Sequence, residues 1–161
     1  MTKLRGFEVV LEKLRKHSEY FAKDLSKINV IPQRADAGSA GYDFVTPTAF
    51  TLPPGAKHVV WTDVKAYMQD HEVLQLFVRS SVGIKRDIVL ANGTGIIDAS
   101  YYNNPDNDGN IGICLVNNGL QSHHFEAGER IAQGIFLPYL VADNDNPIHN
   151  ERAGGFGSSG K

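Results

Sequence analysis

The chain has 161 residues, 42% of them hydrophobic, which is enough for one domain with an ordinary buried core. Its formal net charge of −2 argues against a direct nucleic-acid partner. The sequence contains no secretory signal and no long apolar stretch, and its single cysteine, Cys114, rules out an internal disulfide, so we expect a cytoplasmic protein that does not span a membrane.

The first predicted element is an amphipathic helix over residues 8–25. One face of this helix is made by side chains at helical spacing, namely Leu11, Leu14, Ser18, Phe21 and Leu25. Asn29 and Pro32 then end the helix. We expect an added helix packed on the main body, and the alternative is a helix that binds a regulatory protein.

Residues 32–150 are predicted to form an all-β body. Short apolar runs follow one another, separated by glycine, proline, asparagine and aspartate residues that favour turns. The runs at 73–78 and 130–137 alternate partly, as half-buried strands do. Strands without intervening helices indicate a β-sandwich or a β-barrel, and the pattern alone does not choose between them. Segment 103–110 is predicted to be a solvated loop, because it lacks the spacing and the glutamate of an EF-hand calcium site.

Residues 151–161 are predicted to be a mobile C-terminal arm. Glycines and serines dominate this segment, and they cannot build a packed core. The composition nevertheless suits a nucleoside polyphosphate. Arg152 supplies charge, Ser158 and Ser159 supply hydroxyls, and Phe156 supplies a face on which a base can stack. A disordered tail is the alternative.

Five separate segments resemble the five motifs of the trimeric dUTPase family, in the same order and with similar spacing. They are AGYDF (40–44), RSS (79–81), NGTGIIDASY (92–101), GERIAQGIF (128–136) and RAGGFGSSGK (152–161). The resemblance runs from about Pro32 to the C-terminus. It implies a jelly-roll-like β-barrel that assembles as a homotrimer. It also implies Mg²⁺-dependent hydrolysis of dUTP to dUMP and pyrophosphate, by water attack at the α-phosphate, which limits uracil incorporation into DNA.

The resemblance assigns base, sugar and water chemistry to a hairpin predicted over residues 92–101. Asp98 matches the aspartate that orients and deprotonates the attacking water. Asn92 and the backbone near Gly95 and Ile97 match the groups that recognise the uracil edge. Tyr101 matches the tyrosine that packs on the sugar and excludes a 2′-hydroxyl.

The resemblance assigns the phosphates and the metal to other segments. A loop at Arg79, Ser80 and Ser81 presents a hydroxyl and N–H groups to the phosphates. Gln133 matches a glutamine near the α-phosphate. Asp43 matches an aspartate that reaches Mg²⁺ through water, and its alternative is a structural salt bridge at a strand end.

The arm is expected to close over bound nucleotide. Phe156 would cover the uracil, and the phosphates would be clamped by the polar part of the arm, which comprises Arg152, Gly157, Ser158 and Ser159. An arm so polar and extended is not expected to fold back over the hairpin of its own subunit. Each site is therefore expected to take Asp98 from one subunit and the arm from another.

The sequence leaves two alternative functions. The dCTP deaminases share the fold, but Cys114 stands where such an enzyme needs its catalytic glutamate, so deamination is disfavoured. A non-catalytic module that engages a regulatory protein through the same fold remains the second alternative.

Overall fold

The N-terminal segment forms a strand rather than a helix. The computed structural model describes residues 2–17, 28–152 and 154–156. Within them, Gly6–Val9 form a strand and Glu12–Leu14 a single 3-10 turn, so the predicted helix is wrong over residues 8–17. Its remainder, residues 18–25, lies outside the described residues. Backbone pairing with a distant strand outweighs the helical periodicity here.

The described part of the chain contains twelve strands and one short α-helix. The helix, α1, spans Ser80–Arg86. The strands are β1 (Gly6–Val9), β2 (Gln33–Arg34), β3 (Tyr42–Val45), β4 (Phe50–Leu52), β5 (Lys57–Trp61), β6 (Val64–Tyr67), β7 (Glu72–Val78), β8 (Ile88–Leu90), β9 (Gly95–Asp98), β10 (Gly112–Asn117), β11 (His123–Phe125) and β12 (Arg130–Pro138).

The strands form four antiparallel sheets in the described residues. The largest has the order β2-β3-β12-β7-β9, and a second has the order β5-β10-β8. Two strand pairs, β1-β6 and β4-β11, complete the set. The predicted all-β class is therefore confirmed as a mostly β fold, whereas hydrogen bonding among the described strands does not close a barrel.

Alternating side chains place the core between the two larger sheets. Leu74 and Leu76 of β7 are buried, and so are Ile113 and Leu115 of β10. Phe44 of β3 is fully buried in the same cluster. The prediction of strands at 73–78 and 130–137 is confirmed, since β7 and β12 occupy those positions.

Segment 103–110 is not a solvated loop. Asn104, Asn107, Asp108 and Asn110 are buried. Asp108 forms a buried salt bridge with Lys65 at 2.9 Å, and its carboxylate also accepts a hydrogen bond from a backbone N–H of the N-terminal segment. Side-chain amides and a carboxylate thus provide the hydrogen bonds that a buried loop needs.

Candidate functional site

A first cavity of about 200 Å³ gathers most of the residues that were predicted to handle base and sugar. We call it the first cavity. It is lined by Leu76, Leu90, Asn92, Gly95, Ile96, Ile97, Asp98, Tyr101, Gly112, Ile113, Cys114, Arg152 and Phe156. Residues 92–101 and the C-terminal arm therefore meet at one place, as their predicted roles require.

The 92–101 segment reaches this cavity by crossing between sheets. It was predicted to be a hairpin, but β9 pairs with β7 in the five-stranded sheet, whereas β8 pairs with β10 in the other. Gly95 permits the close approach, because a Cβ built there would lie 2.9 Å from the Cβ of Leu76. The hairpin prediction is wrong, and the crossing orients the backbone from Gly95 to Asp98 along the cavity.

Asp98 lies at the end of β9 with its carboxylate in reach of solvent. Its side chain is 55% exposed, and its Oδ2 accepts a hydrogen bond from the guanidinium of Arg152 at 3.3 Å. The same guanidinium lies over the ring of Tyr101, 5.0 Å from the centroid. Arg152 thus links the arm to Asp98 and Tyr101, the two residues of the 92–101 segment that the sequence predicts to act on water and on the sugar.

Tyr101 forms a rigid wall of the cavity. It is only 5% exposed, and its hydroxyl donates a hydrogen bond to the carbonyl oxygen of Asn110 at 2.6 Å. Burial raises the pKa of its phenol, although the hydrogen bond from Asn107 opposes this shift. Tyr101 is therefore a fixed, neutral aromatic surface.

The described part of the arm lies against its own chain. Phe156 contacts Trp61 edge-to-face, with 5.7 Å between ring centroids, and Arg152 reaches Asp98. The expectation that the arm cannot cover the 92–101 segment of its own subunit is therefore wrong. The arm makes a compact turn after Arg152, because the guanidinium of Arg152 donates hydrogen bonds to the carbonyl oxygens of residues 154 and 155. The predicted phosphate residues Gly157, Ser158 and Ser159 lie outside the described residues.

A second cavity, of about 580 Å³, gathers the residues predicted for phosphate and metal. We call it the second cavity. It is lined by Ala35, Ser39, Ala40, Gly41, Asp43, Arg79, Ser80, Ser81, Ile84, Lys85, Gln133 and Ile135. Ser80 and Ser81 open helix α1 rather than lying in a loop, so that prediction is corrected. Their backbone N–H groups belong to the first turn, where a helix leaves its donors without intrahelical acceptors.

Asp43 is the anionic centre of the second cavity. One carboxylate oxygen pairs with Arg79 at 3.0 Å and the other with Arg130 at 3.3 Å. Gln133 lies opposite Asp43 in the β3–β12 register, and its amide N–H donates to the carbonyl oxygen of Val78 at 3.3 Å. The salt bridge considered as an alternative is present, and Arg79 and Arg130 hold the carboxylate at the cavity wall.

The two cavities are well separated on one chain. They share no lining residue. Asp98 pairs with Val73 at one end of β7, whereas Arg79 directly follows Val78 at the other end. Five residues of extended strand span roughly 17 Å. Asp98 is therefore far outside hydrogen-bonding distance of a group held at Arg79.

Comparison with known proteins identifies the family. A family model for dUTPase matches residues 28–160, which is most of the chain. The chain belongs to the dUTPase family. It is 43% identical over 159 residues to the deoxyuridine 5'-triphosphate nucleotidohydrolase of Lactococcus lactis subsp. lactis (strain IL1403), and the match covers 98% of this chain and 99% of that protein.

Solved dUTPase structures have the same fold. The crystal structure of the dUTPase from Streptococcus mutans is 42% identical, with a TM-score of 0.72, and the match covers 86% of this chain and 99% of that one. A mutant dUTPase of Staphylococcus bacteriophage 80alpha, in a structure with dUpNHpp, is 26% identical with a TM-score of 0.67, covering 99% of this chain and all of that one.

Some features of this dUTPase-family site were not predicted from the sequence. Lys85 lines the second cavity, four residues after Ser81 on α1. A helix prediction at 80–86 would have placed both on one face. Asn107 donates a hydrogen bond to Tyr101, although it lies in the segment that the sequence predicts to be a solvated loop. The only signal for this role in the sequence is the abundance of asparagine in that segment. Cys114 lines the first cavity, where Asp98 is the one acid among the described lining residues.

None of the described helices is long and apolar enough to span a membrane.

Proposed function

We propose that this dUTPase-family chain hydrolyses dUTP to dUMP and pyrophosphate by attack of water on the α-phosphorus. The observation that carries the proposal is the first cavity, which places Asp98, Asn92, Tyr101 and the arm together. The near full-length relative from Lactococcus lactis, named a deoxyuridine 5'-triphosphate nucleotidohydrolase, supports the substrate.

The first cavity accepts the nucleoside. The Asn92 side chain and the backbone near Gly95 and Ile97 recognise the uracil edge, which leaves polar groups unpaired when cytosine is bound. Tyr101 packs against the deoxyribose, and its ring, which is buried and held in place, would exclude a 2′-hydroxyl. Base and sugar selection therefore belong to the same short segment.

The second cavity accepts the phosphates. Arg79 supplies positive charge, and Ser80 and Ser81 supply hydroxyl and N–H donors. Gln133 contacts the α-phosphate region. No group of three or more histidine, cysteine, aspartate or glutamate residues that could hold a metal occurs among the described residues.

A single carboxylate, Asp43, fits a Mg²⁺ ion held mainly by water and by substrate oxygens, because Mg²⁺ keeps several of its waters in such sites. Bound there, Mg²⁺ neutralises phosphate charge. Arg79 and Arg130, which pair with Asp43, are free to turn toward the phosphates when their carboxylate partner faces a cation. Asp43 would hold the ion, and the resemblance to the family implies contact through water.

Asp98 orients the attacking water and accepts its proton. This step requires Asp98 within hydrogen-bonding distance of water at the α-phosphate. The roughly 17 Å of β7 between the two cavities prevents that within one chain. We therefore propose that the complete site forms between subunits of a homotrimer, with one subunit supplying the first cavity and another the second.

An apolar surface on the three-stranded sheet β5-β10-β8 supports self-association. Val59 of β5 and Val89 of β8 are more than a third exposed, at 39% and 38%. Cys114 and Val116 of β10 lie beside them in the register. Exposed apolar side chains grouped on one face, here bordered by Lys57 opposite Val116, are typical of a surface that is covered by another subunit.

The arm completes the site. Arg152 and Phe156 already lie at the first cavity, and Gly157, Ser158 and Ser159 would follow the phosphates. Arms of identical subunits can exchange places, since each subunit offers the same contact surface. We propose that the arm closes when nucleotide binds and that, in the trimer, a neighbouring subunit contributes it.

Pyrophosphate release tests the activity. We expect turnover of dUTP with Mg²⁺, loss of turnover with a chelator, and poor turnover of dCTP, dTTP and UTP. Chromatography of the dCTP reaction checks for a deaminated product. Failure to release pyrophosphate from dUTP would refute the proposal, and deamination of dCTP would refute the argument from Cys114.

Mixed trimers test the shared site. Asp98→Asn damages the first cavity and Arg79→Ala damages the second, so each variant alone should be inactive. Co-expressed chains carrying different tags should regain part of the activity, because some sites combine an intact first cavity with an intact second one. Hybrids that remain inactive, or an active wild type that is monomeric by light scattering, would contradict the proposal.

A further inference from the structure

The 103–110 segment fixes Tyr101 through one buried side chain. The Nδ2 of Asn107 donates a hydrogen bond to the Tyr101 hydroxyl at 2.8 Å, and that hydroxyl donates to the carbonyl oxygen of Asn110 at 2.6 Å. Asn107 itself is buried. Because the phenol both accepts and donates, its hydrogen and its ring have one preferred orientation.

Asn107 is in turn held on its other side. Its Oδ1 accepts hydrogen bonds from Asn104 Nδ2 at 2.7 Å and from the backbone N–H of Gly109 at 3.1 Å. Gly109 has a φ of +91°, and a Cβ there would lie 2.9 Å from the carbonyl oxygen of Tyr101. The Asn107 side chain cannot turn away without breaking these bonds.

The arm rests on the same side chain. Gly155 is buried, and a Cβ built on it would lie 3.0 Å from both Cγ and Oδ1 of Asn107. The same Cβ would lie 2.8 Å from a carboxylate oxygen of Asp106. Asp106 is exposed and can move aside, whereas Asn107 is fixed by its hydrogen bonds. Asn107 therefore sets how closely the arm can approach Tyr101.

We infer that Asn107 is a positioning residue that couples sugar selection at Tyr101 to the seating of the arm at Gly155. The inference rests on the proposed dUTP site. A tyrosine ring held at one tilt excludes the 2′-hydroxyl, and a ring free to tilt admits it. The amide that holds the ring is also the surface on which the arm closes.

Asn107→Asp tests the coupling to Tyr101. The aspartate keeps the acceptors for Asn104 and Gly109, but when ionised it can only accept from the phenol, in competition with the carbonyl oxygen of Asn110, so the pair of hydrogen bonds that fixes the ring is lost. We expect the dUTP-to-UTP ratio of kcat/KM to fall roughly 2- to 10-fold, the usual effect of one hydrogen bond. Loss of folded protein lowers kcat/KM for dUTP and for UTP by the same factor. An unchanged ratio would therefore indicate a purely structural role for Asn107 and would overturn the inference.

Tyr101→Phe supplies the matched comparison. It removes the same hydrogen bond from the other side, together with the one that the hydroxyl donates to Asn110. The double variant with Asn107→Asp should therefore lose no more discrimination than the more affected single variant. Additive losses would overturn the inference. The affinities for non-hydrolysable dUTP and UTP analogues measure the preference for deoxyribose without turnover. An inactive wild type would refute the proposed hydrolysis. The ratio of the two affinities would still test this inference.

A pair of size changes tests the contact with the arm. Gly155→Ala should weaken binding of the dUTP analogue roughly 5-fold or more, because its methyl group meets Asn107. In an Asn107→Ala background, the same change should have less than about half that effect, since the two residues share one contact. Asp106→Ala is the control and should not relieve the effect of Gly155→Ala. Equal effects of Gly155→Ala in the presence and absence of the Asn107 side chain would overturn the inference.

Discussion

Replacing Asp98 by asparagine separates chemistry from structure at the proposed site. The Asp98 side chain is 55% exposed, and its carboxylate pairs with Arg152 at 3.3 Å. Asparagine has the same shape and retains an oxygen that can accept the hydrogen bond from Arg152, but it is not basic. The change therefore removes the proposed proton acceptor and little else.

The expected magnitudes differ sharply between activity and stability. Loss of a general base lowers turnover by roughly 10²- to 10⁴-fold, or about 2.7–5.4 kcal/mol in activation free energy. An ion pair whose carboxylate is half exposed contributes about 0–1 kcal/mol, and the asparagine oxygen keeps the hydrogen bond from Arg152, so the free energy of unfolding should change by less than about 1 kcal/mol. Affinity for a non-hydrolysable dUTP analogue should stay near that of the wild type.

The assay combines three measurements on one preparation. Pyrophosphate release gives kcat, calorimetry gives the affinity for the analogue, and urea denaturation gives the free energy of unfolding. Asp70→Asn is the matched control, because Asp70 is exposed and lies outside both cavities. A variant that keeps more than about a tenth of wild-type turnover would show that another group activates the water. If the variant loses activity only because it unfolds, Asp98 has a structural role.

Three further predictions concern stability, pH and the arm. Lys65→Met should destabilise the protein by about 3–5 kcal/mol, because it leaves the buried carboxylate of Asp108 without its partner, and adding Asp108→Asn should recover part of the loss in urea denaturation. Burial lowers the pKa of His58 below 6.5, so its contribution to stability should be complete above pH 6.5 and should decline as the pH falls through the folded-state value. His58→Phe should flatten the stability profile between about pH 6.5 and 5, and an unchanged profile would contradict the assignment. Trp61 is the only tryptophan and contacts Phe156, so Phe156→Leu should change its fluorescence emission in the free protein, and identical spectra would contradict that contact.

The candidate substrate-binding residues in the two cavities could be named from the sequence, because each belongs to a short continuous motif. Asn92, Asp98 and Tyr101 lie within ten residues and meet in the first cavity. A strand followed by a tight turn keeps Asp98 and Tyr101 close in the chain, whereas the pairing of β9 with β7 sets where the segment lies at the cavity. The mostly β class follows from similar local evidence, namely alternation within short runs and turn residues between them.

Elements that depend on distant partners could not be assigned in this way. Helical spacing over residues 8–17 did not produce a helix, because β1 finds a complete set of backbone partners in β6. Segment 92–101 had the appearance of a hairpin, but β9 pairs with β7 and not with β8. In both cases the deciding hydrogen bonds join segments that are far apart in the sequence.

The sequence by itself determined the family and the strand-rich class and named the side chains proposed to face the substrate, since short-range pattern and residue chemistry carry that information. Only the tertiary structure decided that segment 103–110 is buried, that Asn107 holds Tyr101, and that Asp98 and Arg79 lie at opposite ends of β7. Polar residues such as Asn107 favour solvent when considered alone. They become buried when neighbouring groups satisfy all their hydrogen bonds, and that condition is set by the folded chain as a whole.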